Sequence, residues 1–190
     1  MKKLTIEELN RITPEQFKAQ EKLPLVVVLD SVRSMNNVGS VFRTCDAFKV
    51  EKLYLCGITA CPPHREISKT ALGATESVVW EYAEDVVEVA KTLQGQGYKV
   101  FVVEQVDESV MLQDVDFQQQ EKVAVIVGNE VLGVDERLLP VCDGAVEIPQ
   151  FGTKHSLNVT IAAGIVIWEV AKCKIRDYLT TVGQQPTANS

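Results

Sequence analysis

The sequence predicts an α/β fold, a mainly parallel sheet with helices on both faces, and three observations carry this. Two runs, residues 25–29 (LVVVL) and 123–127 (VAVIV), are apolar throughout and rich in β-branched residues, the pattern of strands buried on both faces. Such runs alternate with segments of helical period instead of following one another. Polar, glycine-containing stretches at 34–39, 128–133 and 150–156 come after strands, where parallel sheets bind ligands beyond the strands' carboxyl ends.

The chain in order supports this. Thr5 and Thr13 each precede acidic residues in helix-start patterns, with Pro14 at a first helical position, so 5–21 reads as one or two short helices that Pro24 breaks. The strand at 25–29 leads into a polar loop from Arg33 that ends at Gly39, and a helix is expected over 40–48. Further strands are expected at 52–56, 78–82, 98–104 and 145–148. A short helix fits 67–73, an amphipathic helix fits 85–94 ahead of Gly95 and Gly97, and a short helix fits 135–139. Residues 108–120 form an irregular acidic connection. Pro149 ends the last strand, since it has no amide hydrogen for a ladder. After a glycine loop, Ser156 stands as N-cap of an almost wholly apolar helix over 157–172. A helix apolar nearly all round is buried on several sides, which in so short a chain calls for a second subunit.

With 190 residues and 46% hydrophobic content, one domain with a real core is expected. The expected division is a short helical extension over 1–24, one α/β domain over 25–175 and a disordered tail over 176–190. No run nears the roughly 18 apolar residues of a membrane span, and the first ten residues have no apolar signal core, so a cytoplasmic protein without membrane contact is expected. The five cysteines are scattered with no CxxC pair, which fits reduced thiols and no metal site. The net charge of −7 taken alone argues against nucleic acid. Yet Arg33, Arg43, Arg65, Lys69, Lys154 and His155 fall in or near the segments singled out here, while many acids sit in 76–88 and 107–121.

Each glycine stretch has a plain reading and a functional one. Asn37 and Arg43 cap and decorate a helix, or they point together at a ligand; the guanidinium's fixed fork of donors suits phosphate. Gly128-Asn129-Glu130 is an αβ turn, or a place where backbone approaches a ligand closely. Ser156 and Asn158 serve as cap and local partner, or belong to a site. His155 and His64 read as loop histidines. Neither GxGxxG after the first strand nor GxxxxGK[ST] occurs, so dinucleotide and P-loop sites are unsupported.

Together the three stretches, DSVRSMNNVGSVFRTCDA (30–47), VIVGNEVLGVDERLL (125–139) and 146–169 with IPQFGTKHSLNV, resemble the three motifs of the SpoU/TrmH family of RNA 2′-O-ribose methyltransferases, of the SPOUT class. Each motif alone is weak; the ordered set, over roughly 25–171, is specific. The resemblance implies an α/β SPOUT fold with a C-terminal deep trefoil knot, an exception to the usual rules of connection. It implies S-adenosylmethionine as cofactor, and a homodimer packed through the knot region and the last helix. By motif position, Arg43 would be the catalytic arginine and Asn37 its helper, with Glu130, Ser156 and Asn158 the other polar positions. Val127, Gly128, Ile148 and Leu157 would hold the cofactor. The implied partner is RNA, first tRNA with a guanosine of its D-loop, then the tRNA wobble position or ribosomal RNA. A neutral guanidine is expensive, so Arg43 is read as gripping a phosphate and orienting the 2′-hydroxyl. Two competing readings are a non-catalytic SPOUT-like RNA-binding dimer and a small-molecule enzyme of flavodoxin-like architecture.

Overall fold

In the computed structural model, backbone is described for residues 1–182 apart from 6, 7 and 10, and side chains as far as residue 175. Most of the expected tail, 183–190, lies outside the described residues.

Among the described residues seven strands form one sheet: β1 (Leu23–Asp30), β2 (Val50–Cys56), β3 (Trp80–Ala83), β4 (Lys99–Val103), β5 (Val110–Met111), β6 (Val123–Val127) and β7 (Gly144–Glu147). Their order is β3-β2-β1-β6-β4-β7-β5, and every pairing is parallel. The two apolar runs are neighbours at the centre, in register from Leu25 opposite Val123 to Leu29 opposite Val127. Because side chains alternate along a strand, Leu25, Val27 and Leu29 join Val123, Val125 and Val127 in one core, and Val26 and Val28 join Ala124 and Ile126 in the other. Each such buried side chain contributes about 1.5–3 kcal/mol.

Helices close both cores. Phe42 of α2 (Met35–Ala47), Ile67 of α3 (Arg65–Ala71), Ala74 of α4 (Ala74–Ser77) and Ile167 of α6 (Val159–Val182) pack on the first face. Val89 and Leu93 of α5 (Val86–Gly95) pack on the second, beside Leu138. In the N-terminal segment α1 (Pro14–Ala19) has a reciprocal capping box between Thr13 and Gln16, and its Phe17 is buried. Pro24 falls inside β1 rather than before it. It is tolerated near the strand's start, where the register with β2 shifts between Leu23 and Val26.

Three differences from expectation concern α2 and α6. First, α2 begins at Met35, not Ser40. The Ser34 hydroxyl accepts the Asn37 amide at 3.3 Å, so the asparagines and Gly39 are helical. Second, α6 begins at Val159, and Ser156 does not cap it. The Asn158 side chain takes the Thr160 amide at 2.9 Å, and the Asn158 carbonyl takes those of Ile161 and Ala162. Third, α6 continues past Lys172 to Val182. It is also less enclosed than its composition suggests, since Ile161, Ile165 and Trp168 face solvent. The acidic connection contains the edge strand β5 and a 3₁₀ turn that buries Phe117. Among the described residues no helix is long and apolar enough to cross a membrane.

Candidate active site

A cavity of about 470 Å³ opens beyond the carboxyl ends of β4, β6 and β7. Its walls come from residues 103–105, 127–131 with 133, 146–148 with 150, and 155–159 with 162. Seven of the nine anticipated site residues therefore share one wall: Val127, Gly128, Glu130, Ile148, Ser156, Leu157 and Asn158.

The loop after β6 is fixed by Asn129, which is buried. Its backbone pairs with Gly133 in both directions, at 2.8 and 3.0 Å. Its side chain donates to the Ser31 carbonyl at 2.7 Å and accepts from the Val131 and Leu132 amides. Gly128 makes this closure possible, for a Cβ there would lie 2.2 Å from the Gly133 carbonyl carbon. The glycine serves an approach of backbone to backbone, not only of backbone to ligand.

Glu130 ties this loop to the one after β1. Its carboxylate accepts the Arg33 amide at 2.9 Å, the Ser34 amide at 3.0 Å and the Asn37 side-chain amide at 2.8 Å. Burial pushes the carboxyl up, but these donors outweigh it and hold Glu130 below the usual carboxylate range. Asn37 in turn accepts from the Asn158 side chain at 3.5 Å, so a polar chain Glu130–Asn37–Asn158 joins all three motifs.

Arg43 does not line this cavity. It stands in a neighbouring groove of about 540 Å³ between α2, α3 and α6, with Ser40, Lys69, Thr70 and Thr160. Asn37 is in neither lining. With α2 starting at Met35, Asn37 sits in the first turn and Arg43 about 9 Å further along the axis, at 1.5 Å per residue. Cavity and groove meet at Asn158, which lines the cavity and whose side chain takes the Thr160 hydroxyl of the groove at 2.5 Å.

Charge differs between the two. Among the described residues, the cavity wall holds Glu104, Glu130 and Glu147 and no lysine or arginine, and the groove holds Arg43 and Lys69 and no acid. Glu104, which accepts the Val134 amide at 3.2 Å, and His155, read as a loop residue, are cavity-lining residues that sequence reasoning missed. Asn129 was legible as part of GNE, although its anchoring role was not.

The fold is shared with RNA-modifying methyltransferases of known structure. The chain is similar to the A. aeolicus TrmH/SpoU tRNA modifying enzyme, with a TM-score of 0.77 and 25% identity over 93% of this chain and 86% of that one. It is also similar to an AdoMet-bound rRNA methyltransferase from Sinorhizobium meliloti, with a TM-score of 0.74 and 26% identity over 85% of this chain and 61% of that one. Residues 24–168 match the model of the SpoU rRNA Methylase family, and the chain belongs to that family. Among curated relatives, the tRNA (guanosine(18)-2′-O)-methyltransferase of Thermus thermophilus is 28% identical over 89% of this chain and 85% of its own length. The 23S rRNA (guanosine-2′-O-)-methyltransferase RlmB of Vibrio parahaemolyticus is 29% identical over 88% of this chain and 67% of its own.

Proposed function

We propose that this chain takes a methyl group from S-adenosylmethionine and places it on a ribose 2′-oxygen of RNA, with tRNA as the first substrate and a D-loop guanosine as the first target. The observation that carries this is the charge contrast at Asn158. A cavity with three carboxylates and no cation suits a ligand bearing a sulfonium and an ammonium, and not a polyphosphate, whereas the groove beside it suits phosphate. The cavity's volume lies within the roughly 300–1,000 Å³ of small-molecule sites. The missing phosphate cradle speaks against the flavodoxin-like reading. The choice of tRNA draws support from the tRNA (guanosine(18)-2′-O)-methyltransferases of Thermus thermophilus and Aquifex aeolicus, to which the chain is 28% and 29% identical.

When bound, S-adenosylmethionine supplies an electrophilic methyl group. Gly128, Ile148 and Leu157 would hold its adenosine part, with Val127 behind them. Glu130 is a poor proton acceptor, because three donors occupy its carboxylate; it instead fixes Asn37, which fixes Asn158. Arginine stays protonated in proteins, so Arg43 grips the phosphate next to the target ribose and orients the hydroxyl toward the cavity, with Ser156 at its wall, and that phosphate takes the proton the hydroxyl loses.

The same reading includes a trefoil knot formed where the segment after β7 passes the 128–133 loop, and a homodimer packed on α6. The shared cavity wall of these segments supports the first. The exposed stripe of Ile161, Ile165 and Trp168 supports the second. The cysteines Cys45, Cys56, Cys61, Cys142 and Cys173 are free thiols, which suits a cytoplasmic enzyme.

Calorimetry with S-adenosylmethionine and transfer of labelled methyl to tRNA and ribosomal RNA transcripts test the reading together. Binding heat with label on a ribose is expected. Binding without transfer to any RNA would instead favour the non-catalytic dimer.

A further inference from the structure

The groove holds a second cation to which no role has been given. Lys69 on α3 lines it together with Arg43 on α2. The two helices are drawn together at Gly39, where a Cβ would lie 2.1 Å from the Thr70 hydroxyl and 2.3 Å from the Ile67 carbonyl oxygen. Both cations are exposed, and neither is well neutralised. Lys69 meets only Glu66, at 3.9 Å, and among the described residues no carboxylate meets Arg43. Six other cations of this acidic chain, Lys2, Lys52, Lys91, Lys99, Arg137 and Lys172, are paired at 3.2 Å or less.

The hydroxyls of the groove narrow the ligand. Ser40 and Thr70 both donate to the Asn36 carbonyl, at 2.9 and 3.0 Å, Thr44 donates to the Ser40 carbonyl at 3.1 Å, and Thr160 donates to the Asn158 side chain at 2.5 Å. A hydroxyl has one hydrogen and two lone pairs. All four hydroxyls already have a protein acceptor, which leaves their lone pairs to face a ligand. An anion in the groove is served first by Arg43 and Lys69, and a hydroxyl donor is served by the serine and threonine oxygens. Phosphates alternating with donor hydroxyls describe a ribose–phosphate backbone, in which the 2′-hydroxyl sets RNA apart from DNA.

We propose that the groove between α2, α3 and α6 seats the RNA backbone flanking the methylated nucleotide, with Lys69 on a phosphate next to the one gripped by Arg43. This rests on the methyltransferase reading and adds to it where the strand runs and which residue holds it.

Binding of an unmodified tRNA transcript, followed by fluorescence anisotropy across a series of KCl concentrations, tests it. Lys69→Gln removes one phosphate contact, so the slope of log K against log salt falls by about 0.7–0.9, and affinity drops several-fold at low salt. Lys69→Arg restores both. S-adenosylmethionine affinity by calorimetry stays at the wild-type value in both variants, which shows that the fold is kept. An RNA hairpin of the D-arm sequence binds several-fold more tightly than the same hairpin in DNA. An unchanged slope in Lys69→Gln, or equal binding of the two hairpins, overturns the inference while wild-type methyl transfer leaves the enzyme reading standing. A wild-type protein that neither binds the methyl donor nor modifies RNA removes both.

Discussion

Glu130 and Asp30 are carboxylates whose surroundings shift them in opposite directions, and their variants should differ in sign. Glu130 is held below the usual range despite some burial because the Arg33 and Ser34 amides and the Asn37 side chain donate to it. Its stabilising contribution is present above the ordinary carboxylate range and is lost as pH falls through its lowered value. Glu130→Gln turns one acceptor into a donor that faces amides. A hydrogen bond to a charged group is worth about 1.5–3 kcal/mol, so turnover should fall by roughly tenfold or more if Asn37 and Asn158 lose their positions. S-adenosylmethionine affinity, measured by calorimetry, should change less than turnover. The melting-temperature gap to wild type should narrow below about pH 4. Asp30, buried at the end of β1, is pushed up by burial, against the pull of the Asp135 amide that it accepts at 2.7 Å. Its raised value means the folded state loses stability as pH rises through it. Asp30→Asn keeps an acceptor for that amide without the charge, so its melting temperature relative to wild type should rise from pH 3.5 to pH 7. A flat difference across that range would show that the buried charge carries no cost.

At the scale of elements, α2 shows what decides a boundary. Asparagine and glycine are weak helix formers, so Asn36, Asn37 and Gly39 read as loop. The Ser34 cap and the close contact with α3 at Thr70 decide otherwise. Gly39→Ala forces a Cβ against a backbone carbonyl as well as a hydroxyl, and overpacking of this kind costs about 1–3 kcal/mol. Thermal unfolding should register it, and RNA affinity should fall with it, because the same contact sets Lys69 beside Arg43. β1 and β6 were legible because a strand covered on both faces must be apolar at every position. Leu25–Leu29 and Val123–Val127 follow that rule, and their being neighbours in the sheet follows from their equal burial. The motif residues Gly128, Glu130, Ile148, Leu157 and Asn158 could be grouped only through the resemblance of three ordered motifs to a known family, since each stretch alone also reads as an ordinary turn or cap. The separation of Arg43 from their cavity was not legible, since it hangs on a helix start set by tertiary contact. Glu104 gave no signal, because a single polar residue at a strand end looks the same whether or not a cavity opens beside it, and His155 gave only its place in the 150–156 stretch.

For the whole molecule, a net charge of −7 and the proposed RNA substrate are reconciled by segregation rather than by balance: carboxylates line the cavity, and cations without close partners among the described residues line the groove. The same view explains an otherwise costly helix. On α6, Ile161, Ile165 and Trp168 follow helical spacing on one face and are 54%, 37% and 49% exposed, although Trp168 also leans on Phe48 with ring centroids 5.7 Å apart. An apolar stripe of this kind marks a contact surface, and Ile161 also borders the groove that holds Arg43. A second copy packed there would bury the stripe and wall the groove, so pairing and methyl transfer should fail together. Ile165→Glu places a charge in that interface without touching the cavity or the groove. Light scattering coupled to gel filtration should give a dimer for wild type and a monomer for the variant at micromolar concentration. Circular dichroism should be unchanged, because in a lone protomer the side chain meets water. Labelled methyl transfer should fall at least tenfold. A monomeric wild type that still methylates RNA would rule out the pairing and leave the stripe on α6 without a physical account.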